Sequence, residues 1–126
     1  MSTPRKVPVD LPPLAATIAD WADGAEGLLR VFLFGSRVRG DNRADSDVDL
    51  YLDLKVDVDP TDEVVDWWTE QNQTEFAAFK SALPGPLSLH RDYERIVGPL
   101  IRDAARNPTY RDRKCICVSL PPKPAS

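Results

Sequence analysis

The sequence VFLFGSRVRGDNRADSDVDLYLDL, residues 31–54, is the most informative part of the chain about its fold. Val31–Phe34 is a short apolar run that stops at Gly35, and it predicts a buried strand reaching back to Leu28. Residues 47–54 alternate polar and apolar side chains, which predicts a second strand buried on one face only. Its apolar face carries Val48, Leu50, Leu52 and Leu54, and its polar face carries Asp47, Asp49, Tyr51 and Asp53.

The polar face of the second strand holds a candidate metal site. Asp47 and Asp49 project to the same side of a strand, roughly 6–7 Å apart. Two bare carboxylates at that separation repel each other by about 2–3 kcal/mol at an effective dielectric constant near 20. A bound divalent cation removes this repulsion, and carboxylate oxygens with open coordination positions suit Mg²⁺ that also holds substrate phosphates. Both residues are therefore candidate metal ligands and catalytic residues.

A candidate phosphate site lies earlier in the same stretch. Gly35 lets the backbone turn sharply and approach a ligand closely. Ser36 can cap a short helix that ends at Gly40, and the free N–H groups at the start of that helix face an anion. Arg37 and Arg39 add positive charge beside it. The sequence therefore predicts a phosphate site and a metal site a short loop apart, and nucleotidyl transfer needs both.

These residues form two motifs, Gly35-Ser36-Arg37-x-Arg39-Gly40 and Ser46-Asp47-x-Asp49-Leu50. In this order they resemble the DNA polymerase β-like nucleotidyltransferase superfamily, and most closely its small prokaryotic branch, the minimal nucleotidyltransferases. The resemblance implies an α/β (α+β) fold, in which helices flank a small mixed β-sheet. It also implies that Gly35, Ser36 and Arg37 bind the nucleoside triphosphate. Asp47 and Asp49 would bind two Mg²⁺ ions.

The activity that the resemblance implies is Mg²⁺-dependent transfer of a nucleoside monophosphate. AMP, taken from ATP, is the first candidate, and the acceptor is a hydroxyl group on a small molecule or a protein. Minimal nucleotidyltransferases often act as antitoxins that transfer AMP onto a HEPN-type toxin. A HEPN-type protein is therefore a candidate partner of this chain.

Members of the superfamily carry a third carboxylate on the strand after the long helix, and this chain has none at the matching place. That strand is predicted at Leu87–His90, where Ser88 or His90 takes the position. Three alternatives stay open. Asp92 can complete the catalytic set, His90 can accept the proton, or the third carboxylate is missing. In the third case the chain is a weak or inactive module that binds nucleotide or a partner protein, because a lost general base typically costs about 10²–10⁴-fold in rate.

Apolar spacing outside this stretch predicts three further helices and two further strands. The helices are expected at residues 14–22, 62–83 and 91–105, and the strands at 87–90 and 115–120. Proline content and these elements divide the chain into an N-terminal arm, residues 1–13, a nucleotidyltransferase domain, residues 14–112, and a short strand with a Pro-rich tail, residues 113–126.

Composition excludes several classes of protein. A chain of 126 residues with a net charge of −4 predicts one domain and lacks the basic surface of a sustained nucleic-acid binder. Its apolar runs are shorter than the roughly 18–20 residues of a membrane span, and its first residues lack the apolar core of a signal peptide. We therefore expect a cytoplasmic protein.

The two cysteines predict free thiols. Cys115 and Cys117 are spaced i, i+2, so a bridge between them would be strained. His90 is the only histidine, so the ligand set of a zinc site is not expected.

Overall fold

The computed structural model describes residues 7–25, 27–54, 73–90 and 97–120. Within these ranges the chain forms a five-stranded mixed sheet with four helices, which confirms the predicted fold class. The elements are α1 (Leu11–Gly24), β1 (Leu28–Phe34), α2 (Ser36–Arg39), β2 (Val48–Leu54), α3 (Gln73–Ala82), β3 (Leu87–Leu89), α4 (Val97–Ala104), β4 (Tyr110–Asp112) and β5 (Cys115–Cys117).

The strand order is β3-β2-β1-β5-β4. β1 pairs antiparallel with β2 and parallel with β5, while β3 runs parallel to β2 and β4 antiparallel to β5. At the end of the central pair, Phe34 lies opposite Asp49. The last residue of β1 and the second residue of β2 are therefore neighbours at one end of the sheet.

Helices cover both faces of the sheet. On one face the alternate residues of β1 and β2, such as Val31 and Leu50, pack against α1 and against Phe79 of α3. On the other face a smaller cluster joins α4 to the strands, and it contains Phe32, Phe34, Tyr51, Ile101, Ile116 and Val118. The expectation of a polar second face on β2 is therefore wrong for Tyr51, which is buried, because α4 covers that part of the sheet.

The helices differ from the predicted ranges at their ends. α1 begins at Leu11, three residues earlier than expected, with prolines at the first positions of the helix, where a missing N–H group costs nothing. α3 is described only from Gln73, so the start of the predicted helix 62–83, with its two tryptophans, lies outside the described residues. The same holds for residues 91–96, which include Asp92.

The C-terminal strand of the sequence prediction is a hairpin in the structure. β5 ends at Cys117, earlier than the expected residue 120. It is preceded by β4, a strand that the sequence pattern did not indicate, and a turn at Arg113 and Lys114 joins the two antiparallel strands. β5 lies between β1 and β4, so this part of the predicted tail belongs to the sheet. The division of the chain into arm, domain and tail stays a prediction.

Among the described residues, no helix is both long and apolar enough to cross a membrane.

Candidate active site

The turn from β1 into α2 depends on glycine at both ends of a four-residue helix. Gly35 has φ +89°, and Gly40 has φ +88° and donates its N–H to the Ser36 carbonyl at 2.8 Å. A side chain is strained at such positive φ values, whereas glycine adopts them freely. The two glycines thus produce the sharp turn that the sequence predicts. The expectation that Ser36 caps the helix is wrong, because Gly35 occupies the cap position, no side chain caps the helix there, and Ser36 is the first helical residue.

Asp49 lies directly against this turn. Its side chain is 22% exposed, and a Cβ atom placed on Gly35 would overlap Asp49 Oδ2 and lie 3.1 Å from Asp49 Cγ. The carboxylate therefore occupies the space that any other residue at position 35 would fill. Gly35 and Asp49, two of the predicted site residues, are brought together, and Ser36 is the next residue along the chain.

Asp47 lies just before β2 and is exposed. No hydrogen bond or ion pair joins it to another residue in the described part of the chain. Its carboxylate is thus open to solvent, on the approach to the strand that carries Asp49. The sequence placed both acids on the strand, whereas the structure starts the strand one residue after Asp47.

Arg37, a predicted nucleotide-binding residue, holds the loop that leads to Asp47. It is 7% exposed, and its guanidinium donates to the Ser46 carbonyl from Nε at 3.1 Å and from Nη2 at 2.7 Å, and to the Ala44 carbonyl from Nη2 at 3.2 Å. Burial rules out a purely surface role for this residue. A contact of Arg37 with phosphate stays a prediction.

Gly85 and Pro86 support the same loop, a role that the sequence analysis did not identify. A Cβ atom on Gly85 would overlap the Ser46 carbonyl oxygen and lie 2.9 Å from Arg37 Nη2. The carbonyl of Pro86 accepts a hydrogen bond from the Val48 N–H at 2.7 Å. The sequence signal was a glycine between two prolines, the composition of a close backbone approach as well as of a turn.

The strand after α3 brings His90 to Asp49. In the parallel register Ser88 lies opposite Asp49, and His90 Nε2 is 2.9 Å from Asp49 Oδ1. Ser88 Oγ lies 3.5 Å from the same nitrogen. Of the residues considered for the place of the third carboxylate, Ser88 and His90 thus lie beside Asp49, and Asp92 lies outside the described residues.

The donor atoms at the site fit a divalent cation that takes its remaining ligands from phosphate and water. Asp47 and Asp49 provide carboxylate oxygens, the hard ligands that Mg²⁺ prefers, and Asp47 is open to solvent. The described ranges contain no group of three or more His, Cys, Asp and Glu side chains arranged to hold a metal ion. The expectation of two bound Mg²⁺ ions therefore stays a prediction.

The cysteines lie away from this site, on the face of β5 that packs against α1. Both are buried, free thiols, as the sequence predicts. The hydrogen bond with Cys117, followed by burial, raises the pKa of Cys115 far above its ordinary value. A neutral, buried thiol is a poor nucleophile and a poor metal ligand.

A family model described as polymerase beta, nucleotidyltransferase matches residues 16–82, more than half of the chain. The match includes the Gly35 turn and both candidate acids, and it ends before His90. A search of curated proteins and a search of solved structures each found no significant match. The chain thus has a nucleotidyltransferase domain and belongs to the polymerase β nucleotidyltransferase family.

Proposed function

We propose that the protein is a Mg²⁺-dependent nucleotidyltransferase that moves a nucleoside monophosphate, AMP first among the candidates, from an NTP to a hydroxyl group. The observation that carries the proposal is the contact between the Asp49 carboxylate and Gly35. It places an acid beside the helix start where a triphosphate would bind, within the segment that the family model matches.

Each part of this site has a distinct task in the proposed reaction. The backbone at Gly35 and the hydroxyl of Ser36 bind the phosphates that leave as pyrophosphate. Asp47 and Asp49 would hold Mg²⁺, which when bound neutralises phosphate charge and favours in-line attack on the α-phosphorus. Arg37 keeps the loop before Asp47 in place through its bonds to two carbonyls. Asp92 is proposed as the third catalytic residue.

The acceptor in this proposal is a hydroxyl group on a partner protein, in the manner of a toxin–antitoxin pair. The support is the resemblance of the motifs in residues 35–50 to the minimal nucleotidyltransferases. The test is to incubate the purified chain with a candidate HEPN-type protein and α-labelled ATP. Covalent label on the HEPN-type protein supports this acceptor, and label confined to small molecules contradicts it.

The central experiment compares two matched carboxylates on one strand. Asp49 and Asp53 lie on the same face of β2 with side chains 22% and 24% exposed, but Asp53 is paired with Arg30. With α-labelled ATP and Mg²⁺ we expect Asp49→Asn to lose label transfer by at least about 100-fold and Asp53→Asn to retain it. Equal activity of Asp49→Asn and the wild type would contradict the proposed site.

A second candidate function is a nucleotide-binding module that has lost transfer activity. The observation that favours it is that His90, which has no carboxylate, lies beside Asp49, where the third carboxylate of the family is expected. This alternative expects stabilisation by ATP and Mg²⁺ without any transfer of label. Loss of transfer in Asp92→Asn would instead identify the third carboxylate and exclude the inactive module.

A further inference from the structure

We propose that His90 is a positioning residue that fixes the Asp49 carboxylate for binding of the metal–nucleotide complex. The inference rests on the proposed function, since it concerns the same site. His90 contacts Asp49 Oδ1, and Asp49 Oδ2 faces Gly35. One oxygen is thus restrained by the protein and the other faces the turn where the phosphates bind.

The geometry of His90 is fixed from three sides. Its backbone N–H donates to the Leu50 carbonyl at 3.0 Å, which continues the pairing of β3 with β2. Its ring lies against Phe34, with ring centroids 4.7 Å apart and planes inclined at 59°. The side chain is only 15% exposed. A donor that is itself held in this way can restrain the carboxylate it contacts.

The direction of the hydrogen bond follows from the chemistry of the two groups. An ionised carboxylate only accepts, so the proton of this bond is on His90 Nε2. That nitrogen is therefore engaged by Asp49 and is not free to accept a proton. His90 therefore acts through Asp49, and it does not reproduce the role of a third carboxylate.

Two substitutions separate the hydrogen bond from the packing of the ring. His90→Gln replaces the ring but offers an amide N–H near the position of Nε2. His90→Phe keeps an aromatic ring against Phe34 but has no donor. The binding of Mn²⁺ together with a non-hydrolysable ATP analogue is measured by calorimetry, and thermal unfolding without ligand reports whether each variant folds.

The expected result is a weakening of Mn²⁺–nucleotide binding by about 10-fold or more in His90→Phe and by less than about 3-fold in His90→Gln, as for other residues that orient a metal ligand. The reverse order, with His90→Gln weak and His90→Phe unchanged, would show that only ring packing matters. Equal affinity of both variants and the wild type would also overturn the positioning role.

The same titration distinguishes this inference from the proposed function. If the wild type does not bind the Mn²⁺–nucleotide complex, both proposals are overturned. If the wild type binds, Asp49→Asn does not, and both His90 variants bind like the wild type, the site stands and only the role of His90 is wrong.

Discussion

At the scale of single residues, the missing side chain of Gly35 lets the Asp49 carboxylate lie against the turn between β1 and α2. Its Cβ position is occupied by the carboxylate of Asp49, and its positive φ aims the chain into α2. Space and backbone conformation therefore both require glycine here. The Asp49 carboxylate can therefore lie where it does only because residue 35 has no side chain.

Gly35→Ala is expected to lower the free energy of unfolding by about 1–3 kcal/mol and to weaken nucleotide binding, because the methyl group displaces Asp49 and the positive φ becomes strained. Gly24→Ala is the matched control, since nothing lies within 4 Å of its Cβ position. That control is expected to change stability by less than about 1 kcal/mol. Urea unfolding and calorimetric titration measure the two effects, and an unchanged Gly35→Ala protein would contradict this assignment.

The contact between Gly35 and Asp49 follows from local signals, because a strand that stops at glycine and an acidic strand a short loop later can form one hairpin. The role of Arg37 could not be predicted in this way. Its guanidinium bonds to the Ser46 carbonyl, and Gly85, which is distant in the sequence, packs against that same carbonyl. Such contacts depend on the completed fold.

At the scale of elements, the loop between α2 and β2 is held from both sides. Arg37 bonds to its carbonyls from α2, and Pro86 accepts the first N–H of β2 from the segment before β3. Within the loop, the N–H of Arg43 donates to Ser46 Oγ at 2.7 Å. The loop that delivers Asp47 is therefore ordered by the protein before any ligand binds.

Arg37→Lys is expected to destabilise the protein by about 1–2 kcal/mol, because one ammonium group cannot reproduce a guanidinium that contacts two carbonyls in a buried place. The control is Arg39→Lys, since Arg39 bonds only to the exposed Asp41 in the described part of the chain. An exposed ion pair such as Arg39–Asp41 contributes less than about 1 kcal/mol to the free energy of unfolding. Equilibrium unfolding in urea compares the variants, and equal stability of both would contradict the anchoring role of Arg37.

The β4–β5 hairpin turns through a residue that is unusual for its conformation. Arg113 has φ +52°, and its guanidinium pairs with Asp112 at 3.0 Å, Asp20 at 2.8 Å and Asp23 at 2.9 Å. The last two partners belong to α1, so the turn is joined to that helix by ion pairs. The strand β4 could not be predicted because its turn has neither Gly nor Asn, the usual sequence signal of a two-residue hairpin.

Arg113→Asn is expected to lower the melting temperature at low ionic strength, with a difference from the wild type that shrinks in about 1 M salt. Asparagine tolerates the left-handed conformation, so the substitution removes the ion pairs without adding backbone strain. The carboxylates of Asp112 and Asp20 raise the pKa of Arg113, so the effect is expected at every pH where those acids are ionised. A salt-independent difference would contradict the electrostatic explanation.

At the scale of the whole molecule, β1 and β5 are enclosed by helices on both faces of the sheet. α1 packs on one face and α4 on the other. The packing of α4 explains why the alternation in residues 47–54 identified the strand but not the burial of Tyr51, since a single strand does not show which helix returns to cover it. Cys115 is fully buried on the opposite face of the sheet, against α1.

The stability of the fold is expected to fall in alkaline solution through Cys115. Its pKa is raised on folding by the bond to Cys117 and by burial, so the folded chain holds a proton that the unfolded chain has lost. This contribution is fully present below the pKa of the unfolded thiol, ordinarily 9.0, and is lost as pH rises toward the higher folded value.

Cys115→Ala isolates this contribution, because the variant keeps every other group that titrates in the same range. Between about pH 8 and pH 10.5 the stability of the wild type is expected to fall more steeply with pH than that of the variant, by up to about 1.4 kcal/mol per pH unit. Urea unfolding at several pH values measures both slopes. Parallel curves would contradict a shifted thiol.

The place of β5 has a consequence for how the protein is made. β1 is synthesised early, but its parallel neighbour comes near the end of the described chain, at residues 115–117. Until that segment leaves the ribosome, one row of hydrogen-bonding groups on β1 has no native partner, and such a row readily pairs with strands of other molecules. One edge of the central strand is therefore completed only when residues 115–117 have been synthesised, long after β1 itself.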